Sequence, residues 1–350
     1  MKFKTVTKHS QIIIPKHQKG SLFIPFFILL FVSQSFSQKV QQVHRMSITV
    51  SDLDASIRFF EGNLDFRKVD EKTIDHPALR RLLGISSPSV SIKITTLRLG
   101  KEEIELLAFD GVAQRAIPQD SRSNDLWFQH IAIVVSNMEK AYEKLKARRI
   151  KHVSTSPQTL PDYIPAAAGI KAFYFQDPDA HNLEIIYFPF GKGDPRWQEK
   201  RATFLGIDHT AIGISNTPYS LAFYQDLLGM KLAGQSENYG SEQEHLNQVF
   251  GTRLQISGLK APRGVGIEFL EYLAPPGGRA FPNDSKVYDL WHWHTSLEVD
   301  DLEAMFKKLS KVNVEFISPG IIDLSEIEMG YSKALMVRDP DGHALLLFEE

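Results

Sequence analysis

The chain repeats itself. Asp120, Asp125, Leu126, Trp127 and His130 recur at the same spacing as Asp284, Asp289, Leu290, Trp291 and His294, and Asp177-Pro178-Asp179-Ala180-His181 recurs as Asp339-Pro340-Asp341-Gly342-His343. A duplicated chain has to build one supersecondary unit more than once, which removes most folds from consideration. Each half divides again, because four segments share an opening: a short β-branched strand, a polar turn and an amphipathic helix. The opening strands are Arg45 to Val50, His130 to Val135, His209 to Ile214 and His294 to Val299. Their helices begin after Ser51-Asp52, near Met138, near Tyr219 and near Leu302, and strand-like runs such as Ser91 to Leu99, Leu183 to Phe188 and Ala344 to Phe348 follow them. The expected fold class is α+β, built from four βαβββ modules.

Three features carry a family resemblance: His-x-x-Ile-x-Val in the strand from His130, a helix ending Phe223-Tyr224-Gln225-Asp226-Leu227-Leu228-Gly229-Met230, and a module closing on Asp339-Pro340-Asp341-Gly342-His343. Together they resemble the vicinal oxygen chelate superfamily, which includes glyoxalases, bleomycin resistance proteins and extradiol dioxygenases. The resemblance covers Val43 through Glu349. It implies modules paired side by side into two half-open eight-stranded barrels, each around a metal site. On the repeat register, residues 43–190 form a first domain from modules 43–110 and 127–190. Residues 191–202, with Gly191, Gly193 and Pro195, form a linker, and residues 203–350 form a second domain from modules 203–274 and 290–350.

Composition narrows the function classes. The 350 residues carry a formal net charge of −2, which offers no basic surface for nucleic acid and directs attention to a small-molecule substrate. The absence of cysteine excludes disulfides, thiolate ligands and a cysteine nucleophile. Scattered basic residues from Lys2 to Lys19, the apolar run Leu22 to Val32 and the ending Ser35-Phe36-Ser37 read as a signal peptide over residues 1–37. The run is too short to span a bilayer. The expected product is exported, periplasmic or secreted, without membrane association once the signal is removed and membrane-anchored if it is not cleaved.

Strand alternation assigns faces independently of the resemblance. Ile131, Ile133 and Val135 are apolar and belong under a helix, which turns His130, Ala132 and Val134 into the cleft. The same rule turns His209 and His294 inward. In the first module Arg45 holds the inward position, and His44 falls on the helix face unless a bulge shifts the strand.

The resemblance adds a carboxylate on the last strand of each module, which corresponds here to Glu105, Glu184 and Glu268, with Leu346 in the fourth. Grouped by sequence half, the ligand sets are His209, Glu268 and His294 as the primary metal site and Glu105, His130 and Glu184 as a secondary one. Arg45 is the candidate substrate-binding or anion-binding residue, able to neutralise Glu105 and Glu184, and Glu268 is the candidate catalytic base. Imidazole and carboxylate ligands suit a divalent metal ion: Zn, Fe, Mn or Ni.

The leading function is a metal-dependent, glyoxalase-like enzyme of lyase or isomerase type. The alternatives are an Fe(II) extradiol-type dioxygenase and a non-enzymatic binding or resistance protein. Tyr174 and Glu184 resemble the end of the extradiol signature, but Ala180 and the missing upstream acid/base histidine depart from it. His181 and His343 read as turn residues, and Trp127, Trp291 and His292 as pocket-mouth packing or substrate contacts. The polar stretch Asn238 to His245 reads as a solvated connection.

Overall fold

The computed structural model describes residues 39–199, 202–276 and 278–349; the expected signal segment, residues 1–37, lies outside the described residues. Module one comprises β1 (Val40–Thr49), α1 (Leu53–Leu64), β2 (Arg67–Ile74), α2 (Pro77–Leu82), β3 (Ser91–Leu99) and β4 (Glu102–Asp110). Module two comprises β5 (Gln129–Val135), α3 (Met138–Ala147), the short strands β6 (Lys151–His152) and β7 (Gln158–Thr159), β8 (Lys171–Gln176) and β9 (Asn182–Tyr187). Module three follows with β10 (Phe204–Ile214), α4 (Thr217–Leu221), β11 (Lys231–Tyr239), α5 (Ser241–Asn247), β12 (Arg253–Lys260), β13 (Arg263–Gly264) and β14 (Gly266–Ala274). Module four has β15 (Trp293–Val299), α6 (Leu302–Leu309), β16 (Ile322–Asp323), β17 (Lys333–Arg338) and β18 (Ala344–Glu349).

The first helix of every module starts on an Asx cap. Asp52 accepts from the amide of Ala55, Asn137 from Lys140, Asn216 from Tyr219 and Asp301 from Ala304, at 2.7–3.0 Å. Each cap satisfies an otherwise orphaned amide and fixes where the chain leaves the strand. The buried residues of α1, α3 and α6 join the convex faces of both sheets in one continuous apolar core. That core includes Ile131, Ile133 and Val135, as strand alternation requires.

The pairing of modules differs from the expected domain arrangement. One nine-stranded sheet has the path β16-β17-β18-β15-β1-β4-β3-β2, with β13 also paired to β1, joining module four to module one; the other runs β11-β12-β14-β10-β5-β9-β8-β6, with β7 also paired to β8, joining module three to module two. The two barrels therefore do not coincide with residues 43–190 and 203–350. The opening strands meet antiparallel as β1 with β15 and β10 with β5.

The segments between modules show what holds this exchange. Arg115, after module one, lies 4.7 Å over the Trp291 ring and binds Asp289 and Asp284, while its carbonyl accepts from Leu290 at 2.9 Å. Arg279, after module three, repeats the arrangement on Trp127, Asp125, Asp120 and Leu126. Each clasp combines charge-assisted hydrogen bonds with a cation over an aromatic face. Trp127 and Trp291 thus belong to inter-module clasps. His181 is drawn into the same region, its Nε2 lying 2.6 Å from the carbonyl of Leu290 and its Nδ1 2.8 Å from Asp177.

Candidate metal centre

The opening strands β1 and β10 each carry a bulge. In β10, Ile207 pairs with Ile133 and His209 with Ala132, leaving Asp208 as the extra residue; in β1, Val43 pairs with Leu297 and Arg45 with Ser296, leaving His44. A bulge re-aims the side chains around it. In β10 it brings Asp208 beside the cleft, where its carboxylate accepts from His209 Nδ1 at 3.0 Å and from Trp197 Nε1 at 2.6 Å. In β1 it carries His44 to the cleft side, against Phe348 and beside Arg45, which corrects the expected placement under the helix.

Exchange of modules redistributes the expected ligand sets. His130 and Glu184 come from β5 and β9, which run parallel with Ala132 opposite Glu184. His209 and Glu268 come from β10 and β14, parallel with Ala211 opposite Glu268. One cleft thus collects all four. His130, Glu184 and His209 are 0%, 4% and 7% exposed and offer ligand atoms within 4.8 Å of one another. Glu184 Oε2 lies 3.1 Å from His130 Nε2 and 3.8 Å from His209 Nε2, and Glu268 Oε2 lies 3.5 Å from His209 Nε2.

The donor set fits a divalent cation. Both ring nitrogens of His130 and Nε2 of His209 are buried without a hydrogen-bond partner among the described residues. Glu184 comes close to His130 Nε2 but does not meet hydrogen-bond geometry. Orphaned imidazole nitrogens converging with two carboxylates form an N/O set that suits zinc, iron, manganese or nickel. The Asp208 bond to His209 Nδ1 leaves Nε2 as the atom that could coordinate a metal, an arrangement usual for histidine ligands. His130 is flanked by Tyr174 and Phe128, with ring centroids 4.9 and 5.6 Å away.

The same neighbours set the electrostatics. Burial alone would lower the pKa of His209, but Glu268, Asp208 and Glu184 outweigh it and raise it to about 9. Burial pushes the Glu268 carboxyl up, Glu184 adds to the effect, and His209 and His130 act against it. For Asp208, burial is outweighed by His209 and Trp197, which hold its carboxyl below the ordinary range.

The other cleft has lost this constellation. Its corresponding positions hold Arg45, Glu105, His294 and Leu346. Arg45 pairs with Glu105 at 2.8 Å, and Ser47 donates to the other carboxylate oxygen at 2.7 Å. Arg45 cannot reach across to Glu184, which lies in the other sheet. His294 is not a partner of His209 and Glu268, contrary to the expected primary site; its Nδ1 lies 3.4 Å from Nε2 of His292. Leu79, Leu82, Ile92, Leu324, Met336 and Leu346 fill the concave face.

A cavity of about 320 Å³ opens beside Glu184, His209 and Glu268. Its wall includes Asn238 and Gln243, which are 2% and 1% exposed, so the stretch expected to be a solvated connection is instead part of the site. Polarity hid these residues, since a buried amide pair reads like loop composition. Trp197, within the expected linker, was missed because its role requires the chain to return to Asp208.

A family model described as the Glyoxalase/Bleomycin resistance protein/Dioxygenase superfamily matches residues 42–185 and 206–347. A 2-epi-5-epi-valiolone epimerase from Actinomyces sp is 31% identical over 154 residues, covering 43% of this chain and 80% of its own. Glyoxalase I of Saccharomyces cerevisiae is 33% identical over 112 residues, covering 32% of this chain and 31% of its own. Glyoxalase I from Zea mays superposes with a TM-score of 0.58 at 16% identity, over 89% of this chain and 92% of its own, a likeness of fold.

Proposed function

The chain belongs to the Glyoxalase/Bleomycin resistance protein/Dioxygenase superfamily, and from that premise we propose that it is a metal-dependent, glyoxalase-like enzyme of lyase or isomerase type acting on a small oxygenated substrate. The observation that carries this reading is the convergence of His130, Glu184, His209 and Glu268 on one cleft with buried, unpartnered imidazole nitrogens. Two curated relatives named as an epimerase and as glyoxalase I support the enzymatic reading.

His130, Glu184 and His209 would hold a divalent ion, with Glu268 as a displaceable fourth ligand, and the ion would supply Lewis-acid polarisation of a substrate oxygen. His209 is oriented for this by Asp208, and Asp208 in turn by Trp197. Glu184 is enclosed, with 5% of its side chain exposed, while Glu268 is 25% exposed and faces the cavity. Glu268 is therefore the carboxylate able to take a proton from a substrate carbon and return it, within reach of the second carboxylate. The apolar walls limit water around that transfer.

Purified protein loaded with zinc, nickel, manganese or iron(II) and incubated with hydroxyketones in deuterium oxide tests the reading. Metal-dependent deuterium incorporation next to the carbonyl, lost in Glu268→Gln, is expected. Metal-dependent oxygen uptake with catechols and no exchange would overturn it in favour of ring-cleaving chemistry.

A further inference from the structure

The cavity wall is chemically asymmetric. Glu184, Glu268 and Asp208 contribute carboxylates on the metal side, while Leu160, Ile170, Ile186 and Phe188 supply apolar wall. Asn238 and Gln243 add amides from β11 and α5. Among the described residues, neither lysine nor arginine lines the cavity.

The two amides are held in a fixed chain. Ser236 donates to Asn238 Oδ1 at 3.0 Å, and Asn238 Nδ2 donates to Gln243 Oε1 at 3.1 Å. With its oxygen engaged by Asn238, Gln243 has its Nε2 left to donate into the cavity that it lines. The side chain is almost fully enclosed yet lines the cavity. An enclosed amide N–H loses hydration unless something in the cavity accepts from it.

An anionic substituent would meet the opposite situation. Carboxylate or phosphate in this cavity would be desolvated without a cation to pair with, facing three protein carboxylates. The positive charge of a bound divalent ion is already balanced by its own glutamates and the chelating oxygens.

Resting on the metal-dependent reading above, we propose that the substrate is uncharged beyond its metal-chelating oxygens, and that Gln243 is a specificity-determining residue donating to a neutral carbonyl or hydroxyl oxygen in its remote part. Asn238 is the positioning residue that sets which way the Gln243 amide faces. The substrate class is a neutral molecule with a carbonyl or hydroxyl oxygen in its remote part rather than an acidic conjugate.

Full-length protein loaded with zinc, its content verified by elemental analysis, is titrated with benzohydroxamic acid bearing acetyl, isopropyl or carboxylate substituents at the meta or para position. The hydroxamate supplies vicinal chelating oxygens, so the substituent reports on the rest of the cavity. One acetyl isomer should bind about fivefold tighter than its isopropyl counterpart, the worth of one hydrogen bond. Both carboxylate isomers should bind at least about tenfold more weakly than the unsubstituted compound. Gln243→Leu should abolish the acetyl preference while zinc content and binding of unsubstituted benzohydroxamate are retained. Gln243→Glu keeps the volume and the Asn238 bond but removes the donor, and should abolish it too if Gln243→Leu does not fold. Zinc-loaded protein that binds a carboxylate probe as tightly, or keeps its acetyl preference in both variants, would overturn the inference alone. A chain that takes up no metal would overturn the functional reading and this inference with it.

Discussion

Arg45 and His209 occupy the same place in the two sheets: each follows a bulged residue, and each stands two residues before the strand position opposite the inward last-strand glutamate, Glu105 or Glu268. His209 meets Glu268, Glu184 and an orienting Asp208, whereas Arg45 satisfies Glu105 directly. A guanidinium has no lone pair to offer a metal. One cleft is thus a ligand set and the other a salt bridge under a filled apolar face.

The first prediction is a single divalent ion per chain. His209→Ala and Glu184→Gln should reduce bound metal to background, while His294→Gln should leave it at the wild-type level. Elemental mass spectrometry on dialysed protein checks this, and two ions per chain, or loss of metal in His294→Gln, would refute it.

The support behind His209 gives a second prediction. Asp208→Asn and Trp197→Phe should keep the fold but weaken metal affinity about 10–100-fold, the usual effect of removing an outer-sphere partner. Competition against a chromophoric chelator measures it. Affinity equal to wild type would mean that the Asp208 bond does not orient the ring.

The pH dependence of stability should come in part from the apolar cleft. Burial, aided by Arg45, lowers the His44 pKa to about 4, and burial lowers that of His294 to about 3. Burial and the neighbouring His294 lower that of His292 as well. These rings stay neutral in the fold while the unfolded chain takes up protons below its ordinary pKa near 6.5. Their contribution is therefore fully present above pH 6.5 and is lost as pH falls towards 4 and then 3. Each histidine adds at most about 1.4 kcal/mol per pH unit to the slope. Urea unfolding at several pH values should give a shallower acid dependence for His294→Gln; an unchanged slope would contradict the assignment.

The exchanged pairing makes a fourth prediction. A fragment covering residues 203–350 has β10 without β5 and β15 without β1, so each of its modules ends on an exposed, unpaired strand edge. It should not form a cooperatively folding monomer, and mixing it with residues 38–202 should restore native-like circular dichroism and metal binding. A monomeric fragment with one sharp unfolding transition would show that the halves fold independently.

Much of the fold was legible from local rules. The duplicated Asp-rich and Asp-Pro-Asp segments marked the modules, Ser51-Asp52 marked where the first helix starts, and alternation turned His130 and His209 into a cleft. The α+β class and the inward histidines follow from periods of two and 3.6 residues, which neighbouring residues determine among themselves, while Glu105, Glu184 and Glu268 were positions that the family resemblance implied. His44 escaped this reasoning because alternation fails at a bulge, and a bulge depends on how two strands register against each other.

Only the tertiary structure decided which modules are neighbours, and with that which candidate ligands share a cleft. The opening strands of all four modules present similar hydrogen-bonding edges, so the backbone of β1 is served equally well by β5 or by β15. The choice falls to contacts between residues far apart in the chain, such as Arg115 on Trp291 and Asp289 and Arg279 on Trp127 and Asp125. Sequence thus determined that inward histidines and glutamates exist and on which strands they stand. Their union as His130, Glu184, His209 and Glu268 was decided by non-local pairing, because alternation fixes a side chain's face but carries no information about which strand lies beside it.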